Sequence, residues 1–218
     1  FPAMSRRQDD IPLLRSAFLL LNGTIFSLFL PLSLIWFEFR QEIVLVVLGS
    51  SWAAASGPFG YLAIGLSFRA AYRVSDIVAR ARGLVYSRAV VQWIYAGLIV
   101  AGGVIGQYWG LDGVAIGISS AIAVNWMLMT ILTTYSLEIT LADILLSFRP
   151  AVFTLCIAYL AVVGLNLWFE RVQDKAPTLT VAISLGFGAA LIAVLNLRSA
   201  NTALSDWKQI LRRASRAD

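Results

Sequence analysis

Five arginines form the densest run of positive charge in the chain: Arg69, Arg73, Arg80, Arg82 and Arg88. Arg69 and Arg73 are four residues apart, so they share one face if this segment is helical. A guanidinium group can donate paired hydrogen bonds to two oxygens of a phosphate. The cluster therefore predicts a site for an anionic lipid head group or a pyrophosphate. The alternative is an ordinary positive loop beside a membrane, with Arg69 and Arg73 extending to the interface.

Two asparagines, Asn22 and Asn125, lie inside long apolar runs. A carboxamide in such a run needs a hydrogen-bond partner, so we expect both side chains to face other helices. Contact between helices is the favoured interpretation, and contact with a substrate is the alternative. Glycines at 102, 106, 113 and 117 have the small-residue spacing that is typical of closely packed helices.

The sequence offers few groups for catalysis. It has no histidine, which is the commonest general base and the commonest metal ligand. The lysines, Lys175 and Lys208, lie outside the apolar runs, and those runs contain none of the carboxylates on which proton-coupled transport often relies. The single cysteine, Cys156, excludes a disulfide within the chain. We therefore predict a protein that is not an enzyme and has no metal site and no cofactor.

Composition indicates the environment of these residues. Of the 218 residues, 59% are hydrophobic and only 13% are charged. Globular proteins have roughly 45–50% apolar and about 25% charged residues. Because so few charges cannot cover the surface of a water-soluble domain, the sequence predicts an all-α integral membrane protein surrounded by lipid.

Runs of about 20 apolar residues predict a bundle of six transmembrane helices. The predicted spans are 16–37, 52–74, 89–108, 114–135, 151–169 and 179–197. The transmembrane domain would thus occupy residues 16–197, between an entry segment at 1–15 and a basic tail at 198–218. Two shorter stretches, 42–48 and 137–148, are expected to lie along the membrane surface.

Positive charge is distributed unevenly over the predicted loops. Of the 17 lysines and arginines, only Arg40, Arg171 and Lys175 fall on the side opposite to the two ends of the chain. Cytoplasmic loops carry the excess of positive residues. We therefore expect both ends, and the arginine cluster, on the cytoplasmic side.

Three short segments follow one another in a suggestive order along this helix pattern. Residues 1–6 read FPAMSR, residues 47–52 read VLGSSW, and residues 108–115 read YWGLDGVA between two spans. With the prolines at 31 and 58, this order resembles the Wzx-type lipid-linked oligosaccharide flippases. They belong to the superfamily of multidrug, oligosaccharidyl-lipid and polysaccharide transporters. The resemblance covers nearly the whole chain but only the C-terminal half of such a protein, which implies one lobe of a two-lobed fold.

The resemblance also implies a function in polysaccharide biosynthesis and export, including lipopolysaccharide and exopolysaccharide. Such a flippase moves an undecaprenyl-pyrophosphate-linked oligosaccharide across the bacterial inner membrane by alternating access. The arginine cluster would then receive the pyrophosphate. The implied partners are the lipid bilayer, the lipid-linked oligosaccharide, an N-terminal lobe, and a polysaccharide polymerase with glycosyltransferases. No nucleic acid is expected.

Other functions stay open at this point. A drug or small-molecule cation antiporter of the same superfamily ranks second, and it would need an acidic residue within a span. A membrane enzyme would need a long loop with acidic or histidine residues outside the membrane. A scaffold that transports nothing would also fit the composition.

Overall fold

The computed structural model describes residues 11–171 and Gly188, and all the regular structure in this part of the chain is helical. The α-helices of residues 11–171 are α1 (Ile11–Glu38), α2 (Arg40–Leu48), α3 (Ser56–Ala81), α4 (Val85–Gly106), α5 (Gly110–Ser136), α6 (Leu141–Ser147) and α7 (Arg149–Arg171). Short 3-10 helices, Ser50–Ala55 and Gln107–Trp109, precede α3 and α5. The all-α prediction is confirmed for the described residues.

Three helical stretches among the described residues are long and apolar enough to cross a membrane. They are Ile11–Glu38, Val85–Ser136, which contains both α4 and α5, and Leu141–Gly164. These stretches indicate a membrane protein. Helix α3 is not among them, because charged residues recur along its second half, at Arg69, Arg73, Asp76 and Arg80. The total of six transmembrane spans stays a prediction.

Helix α3 differs most from its predicted range. It begins at Ser56 rather than 52 and continues to Ala81 rather than 74. Val74, Val78 and Ala79 extend its buried apolar face, so the helix gains packing energy beyond the predicted end. Asp76, two residues beyond the end of the predicted span, therefore lies within the helix.

The other predicted spans that the structure describes fall on long helices. Ranges 16–37, 114–135 and 151–169 lie inside α1, α5 and α7, and 89–108 covers most of α4 and part of the 3-10 helix after it. Helix α2 covers the predicted surface stretch 42–48, and α6 lies within 137–148. Residues 1–10, the tail at 198–218 and most of the predicted sixth span lie outside the described residues. Gly188, from that span, packs against Ile35 of α1.

The helices pack in the order α4, α5, α3, α1 and α7. Helices α3 and α4 follow each other in sequence, yet they make few contacts with each other, and both pack extensively on α5. They diverge from the short turn that joins them, where Gly83 adopts a φ of +68°. The result is a wedge-shaped gap between α3 and α4 with α5 as its floor.

Two contacts hold this arrangement. An aromatic cluster joins α1, α3 and α5, with the ring centroids of Phe26 and Trp126 5.0 Å apart and those of Phe26 and Phe68 6.0 Å apart. Glycines bring the backbones of α4 and α5 together: a β-carbon on Gly102 would lie 2.7 Å from the carbonyl oxygen of Gly117. Only glycine permits so close an approach.

Candidate ligand-binding site

A pocket of about 150 Å³ occupies the gap between α3 and α4. We call it the interhelical pocket. Each of the three helices contributes to its walls, which consist of Arg69, Tyr72 and Arg73 from α3, Gln92 and Tyr95 from α4, and Ile122 and Asn125 from α5. It therefore brings together three of the residues that the sequence analysis singled out, Arg69, Arg73 and Asn125.

Charge and burial vary with depth in the interhelical pocket. Arg69 and Arg73 are exposed at its rim, and the side chains of Tyr72, Gln92 and Tyr95 are half-buried. Asn125 is only 4% exposed. The pocket thus has a cationic rim and a neutral polar interior.

Neither Arg69 nor Arg73 has a carboxylate partner among the described residues. The ion pairs there are made by Arg15, Arg80 and Arg88. Two unpaired guanidinium groups on one helix face make the rim electropositive. Such a rim attracts anions and can donate hydrogen bonds to phosphate oxygens.

Two carboxamides face the interior. The Gln92 Nε2 atom donates a hydrogen bond of 3.0 Å to the Tyr72 hydroxyl oxygen, which links α4 to α3 across the gap. The Asn125 Oδ1 atom is buried and has no hydrogen-bond partner among the described residues. A buried acceptor without a partner is costly, and this atom has almost no accessible surface, so it is closed off from the pocket in this structure.

Asp76 closes the narrow end of the gap. Its carboxylate accepts hydrogen bonds from Arg80, one turn further along α3, and from Arg88 on the first turns of α4. Asp76 lies beyond the predicted second span. Burial raises the pKa of its carboxyl, but the hydrogen bonds from Arg88 and Arg80 outweigh burial, so the pKa lies below its ordinary value. Asp76 is therefore ionised at neutral pH.

The five predicted arginines thus separate into groups. Arg69 and Arg73 line the interhelical pocket, whereas Arg80 and Arg88 bind Asp76. Arg82 is half-buried at the C-terminal cap of α3 and does not line the pocket. Because Arg80 and Arg88 are already paired with Asp76, Arg69 and Arg73 are the two arginines of the pocket that can bind an anion.

The two asparagines also differ. Asn125 lines the interhelical pocket, while Asn22 is completely buried on α1. The expectation that Asn22 contacts another helix through a hydrogen bond stays a prediction. Neither polar atom of its carboxamide has a hydrogen-bond partner within the described part of the chain.

Sequence reasoning missed four polar residues of the site: Tyr72, Asp76, Gln92 and Tyr95. A signal for two of them was present, because positions 69, 72, 73, 76 and 80 recur at helical spacing on one face of α3. Gln92 and Tyr95 have no comparable signal, since they are isolated in an apolar run. Among residues 11–171, no group of three histidine, cysteine, aspartate or glutamate side chains could hold a metal ion.

The described part of the chain defines an all-helical protein with membrane-length apolar helices and a cationic pocket between three of them. Residues 1–57 match the family model described as "Polysaccharide biosynthesis protein". No curated protein and no solved structure matches the chain. The match supports a family of polysaccharide biosynthesis proteins, and with it a role in polysaccharide biosynthesis or export.

The matched segment and the interhelical pocket occupy different parts of the chain. The match covers α1, α2, the first 3-10 helix and the beginning of α3, whereas the pocket residues lie between positions 69 and 125. The family match and the pocket geometry are therefore independent observations about function.

Proposed function

We propose that this chain is part of a flippase that moves an undecaprenyl-pyrophosphate-linked oligosaccharide across the bacterial inner membrane. The observation that carries the proposal is the interhelical pocket, where Arg69 and Arg73 are exposed without a carboxylate partner among the described residues. The match of residues 1–57 to polysaccharide biosynthesis proteins supports the same pathway.

The two arginines suit a pyrophosphate because of their spacing. Residues four apart on an α-helix lie about 6 Å apart along its axis and on the same face. Their guanidinium groups can thus bind neighbouring phosphoryl groups of one ligand. Each phosphoryl group would be held bidentately, which an ammonium group cannot do.

In this proposal the chain acts by binding and by conformational change, without bond-breaking chemistry and without a cofactor. It forms one lobe, both ends of which are cytoplasmic, and an N-terminal lobe completes the cavity for alternating access. Glycosyltransferases would act before transport, and a polysaccharide polymerase would act after it. The lipid part of the substrate would stay in the bilayer during transport.

A drug or cation antiporter is the second candidate, and Asp76 is the residue on which it would depend. This buried carboxylate lies in α3, two residues beyond the end of the predicted second span. However, Arg80 and Arg88 hold its pKa low, so it does not release and take up protons near neutral pH. Its surroundings favour a structural role over ion exchange.

The proposal predicts that the Arg69→Ala, Arg73→Ala double variant of the full-length protein impairs polysaccharide export, because the anion site loses both guanidinium groups. Export is measured as surface polysaccharide in cells with matched protein levels. Arg149→Ala, an exposed arginine outside the pocket, is the control and should export normally. Replacing both pocket arginines by lysine should restore part of the export, since charge remains. Normal export by the double alanine variant would contradict the role of this pair.

A further inference from the structure

A second cavity, of about 470 Å³, lies between α1 and α6 and shares no residue with the interhelical pocket. We call it the α1 groove. It follows one face of α1 from Ser16 to Ser27, which is about 16 Å of helix. Asp143 and Ser147 of α6 and Pro150 at the start of α7 form its other wall.

The two ends of the α1 groove differ in polarity. At one end Asp143 forms an ion pair with Arg15 of α1, and about one third of each side chain is exposed, 30% and 38%. Residue 15 directly precedes the first predicted span, so this ion pair lies at the expected level of the lipid head groups. Leucines 19, 20 and 146 line the groove further along. The groove therefore suits an amphiphile with a charged head and an apolar chain.

Four hydroxyl groups line the α1 groove, and each already donates its hydrogen to a backbone carbonyl of its own helix. They belong to Ser16, Thr24, Ser27 and Ser147, with donor–acceptor distances of 2.7 to 3.1 Å. A hydroxyl has one hydrogen to donate, so only the acceptor lone pairs of these oxygens remain. The polar wall of the groove thus favours a ligand that donates hydrogen bonds.

The Asp143 carboxylate has the same preference. Its hydrogen bonds within the described part of the chain all reach Oδ2, from Arg15, from the Thr140 hydroxyl at 2.6 Å and from the Thr140 backbone nitrogen at 3.2 Å. Its Oδ1 atom accepts none of them, so it can accept from a cation. Only Nη2 of Arg15 donates to Asp143, and the other N–H groups of this guanidinium can bind a phosphate.

We infer that the α1 groove binds phosphatidylethanolamine, a bilayer phospholipid with a primary ammonium group next to its phosphate. The ammonium donates to Oδ1 of Asp143, the phosphate accepts from Arg15, and one acyl chain lies along Leu19 and Leu20. This inference goes beyond the proposed function, because the groove is separate from Arg69 and Arg73 and its lipid is not the transported substrate.

Other bilayer phospholipids match the groove less well. The quaternary ammonium of phosphatidylcholine has no N–H group, so it cannot donate to Asp143 or to the hydroxyl oxygens. Phosphatidylglycerol has no cation and would bring a negative charge close to the carboxylate without compensation. The hydrogen-bonding ammonium group is therefore the feature that distinguishes the expected lipid.

The test measures lipid binding to the purified full-length protein in detergent by native mass spectrometry. The probes are phosphatidylethanolamine, phosphatidylcholine and phosphatidylglycerol with identical acyl chains. We expect phosphatidylethanolamine to bind about 3- to 10-fold more tightly than phosphatidylcholine, which corresponds to one or two hydrogen bonds. This comparison uses the wild type and does not depend on the folding of any variant.

Two variants locate the site, each with a matched control. Asp143→Asn should remove most of the preference, because the ammonium loses its charged acceptor; Glu138→Gln, at an exposed residue outside the groove, should keep it. Leu20→Trp fills the groove and should weaken phosphatidylethanolamine binding at least 3-fold. Leu28→Trp makes the same change at another half-buried leucine of α1 outside the groove and should have no effect.

Three results would overturn the inference. The first is equal affinity of the wild type for phosphatidylethanolamine and phosphatidylcholine, which would indicate nonspecific contact with lipid. The second is tighter binding of phosphatidylglycerol than of phosphatidylethanolamine, which would indicate an anion site at Arg15 alone. The third is an unchanged preference in both Asp143→Asn and Leu20→Trp, which would place the lipid elsewhere. None of these results bears on export by the Arg69→Ala, Arg73→Ala variant, so the proposed function is tested separately.

Discussion

Asp76 links the end of α3 to the beginning of α4 through a single carboxylate. It is 4% exposed, and its two partners come from different helices, Arg80 from α3 and Arg88 from α4. Two guanidinium groups around one carboxylate leave a net positive charge at the closed end of the interhelical pocket. At the residue scale, Asp76 therefore fixes both the geometry of the turn and the electrostatic potential beside the pocket.

Asp76→Asn should destabilise the protein. The amide keeps the size of the side chain but loses the charge, so Arg88 is left without its ionic partner next to a buried site. Hydrogen bonds to charged groups contribute roughly 1.5–3 kcal/mol each, and solvent screening of the half-exposed Arg80 reduces its share. We expect a loss of about 2 kcal/mol, observed as a lower melting temperature in detergent.

The matched control for Asp76→Asn is Glu138→Gln. It makes the same chemical change at an exposed residue between α5 and α6, and it should leave the melting temperature within experimental error. Equal melting temperatures for the wild type and Asp76→Asn would show that the buried ion pairs contribute no net stability.

The pocket residues show what could be predicted at this scale. The arginines were found from charge density and spacing, because charges are conspicuous in an apolar sequence. Which of them are unpaired depends on Asp76, whose burial follows from the continuation of α3 to Ala81. Gln92 and Tyr95 acquire their role only because α4 faces α3 across the gap, and a single sequence does not specify that pairing.

At the scale of helices, length and hydrophobicity predicted the elements well, since runs of about 20 apolar residues have few other structural solutions. The largest difference from the predicted ranges concerned α3. Its charged residues repeat every three to four positions, so a window that searches for uniformly apolar residues ends too early. An amphipathic helix buries one face and leaves the other polar, and α3 uses its polar face to line the interhelical pocket.

Glycine contacts decide how closely α4 and α5 approach. Gly102→Ala should lower stability, because its β-carbon would lie 2.7 Å from the Gly117 carbonyl oxygen and the helices must separate. Gly103→Ala is the matched control: a β-carbon there meets nothing within 4 Å among the described residues. Alanine favours helix over glycine by about 1 kcal/mol, so the control should be neutral or slightly stabilising.

Thermal unfolding of the two alanine variants in detergent, followed by circular dichroism, measures the difference. Equal melting temperatures for Gly102→Ala and Gly103→Ala would contradict the close contact between α4 and α5.

For the whole molecule, the distribution of positive charge predicts orientation. In a Cys156→Ser background, which removes the single cysteine, Ser87→Cys and Gln107→Cys place exposed thiols near opposite ends of α4. A maleimide that cannot cross the inner membrane should label Gln107→Cys in intact cells. It should label Ser87→Cys only after permeabilisation, because the loop before α4 is predicted to be cytoplasmic.

The parent Cys156→Ser protein should stay unlabelled in both conditions. Labelling of Ser87→Cys but not of Gln107→Cys in intact cells would reverse the predicted orientation. It would also place Arg69 and Arg73 on the wrong side to receive a substrate from the cytoplasm.

The attachment of α4 has a mechanical consequence. Among the described helices, α4 rests almost entirely on α5, through the glycine contact at Gly102. Gln92 lies ten residues away, about 15 Å along the axis. A change of about 10° in the crossing angle of the two helices would therefore displace Gln92 by roughly 2.6 Å. Helix α4 can thus act as a lever: a small tilt about its backbone contacts with α5 changes the width of the gap between α3 and α4.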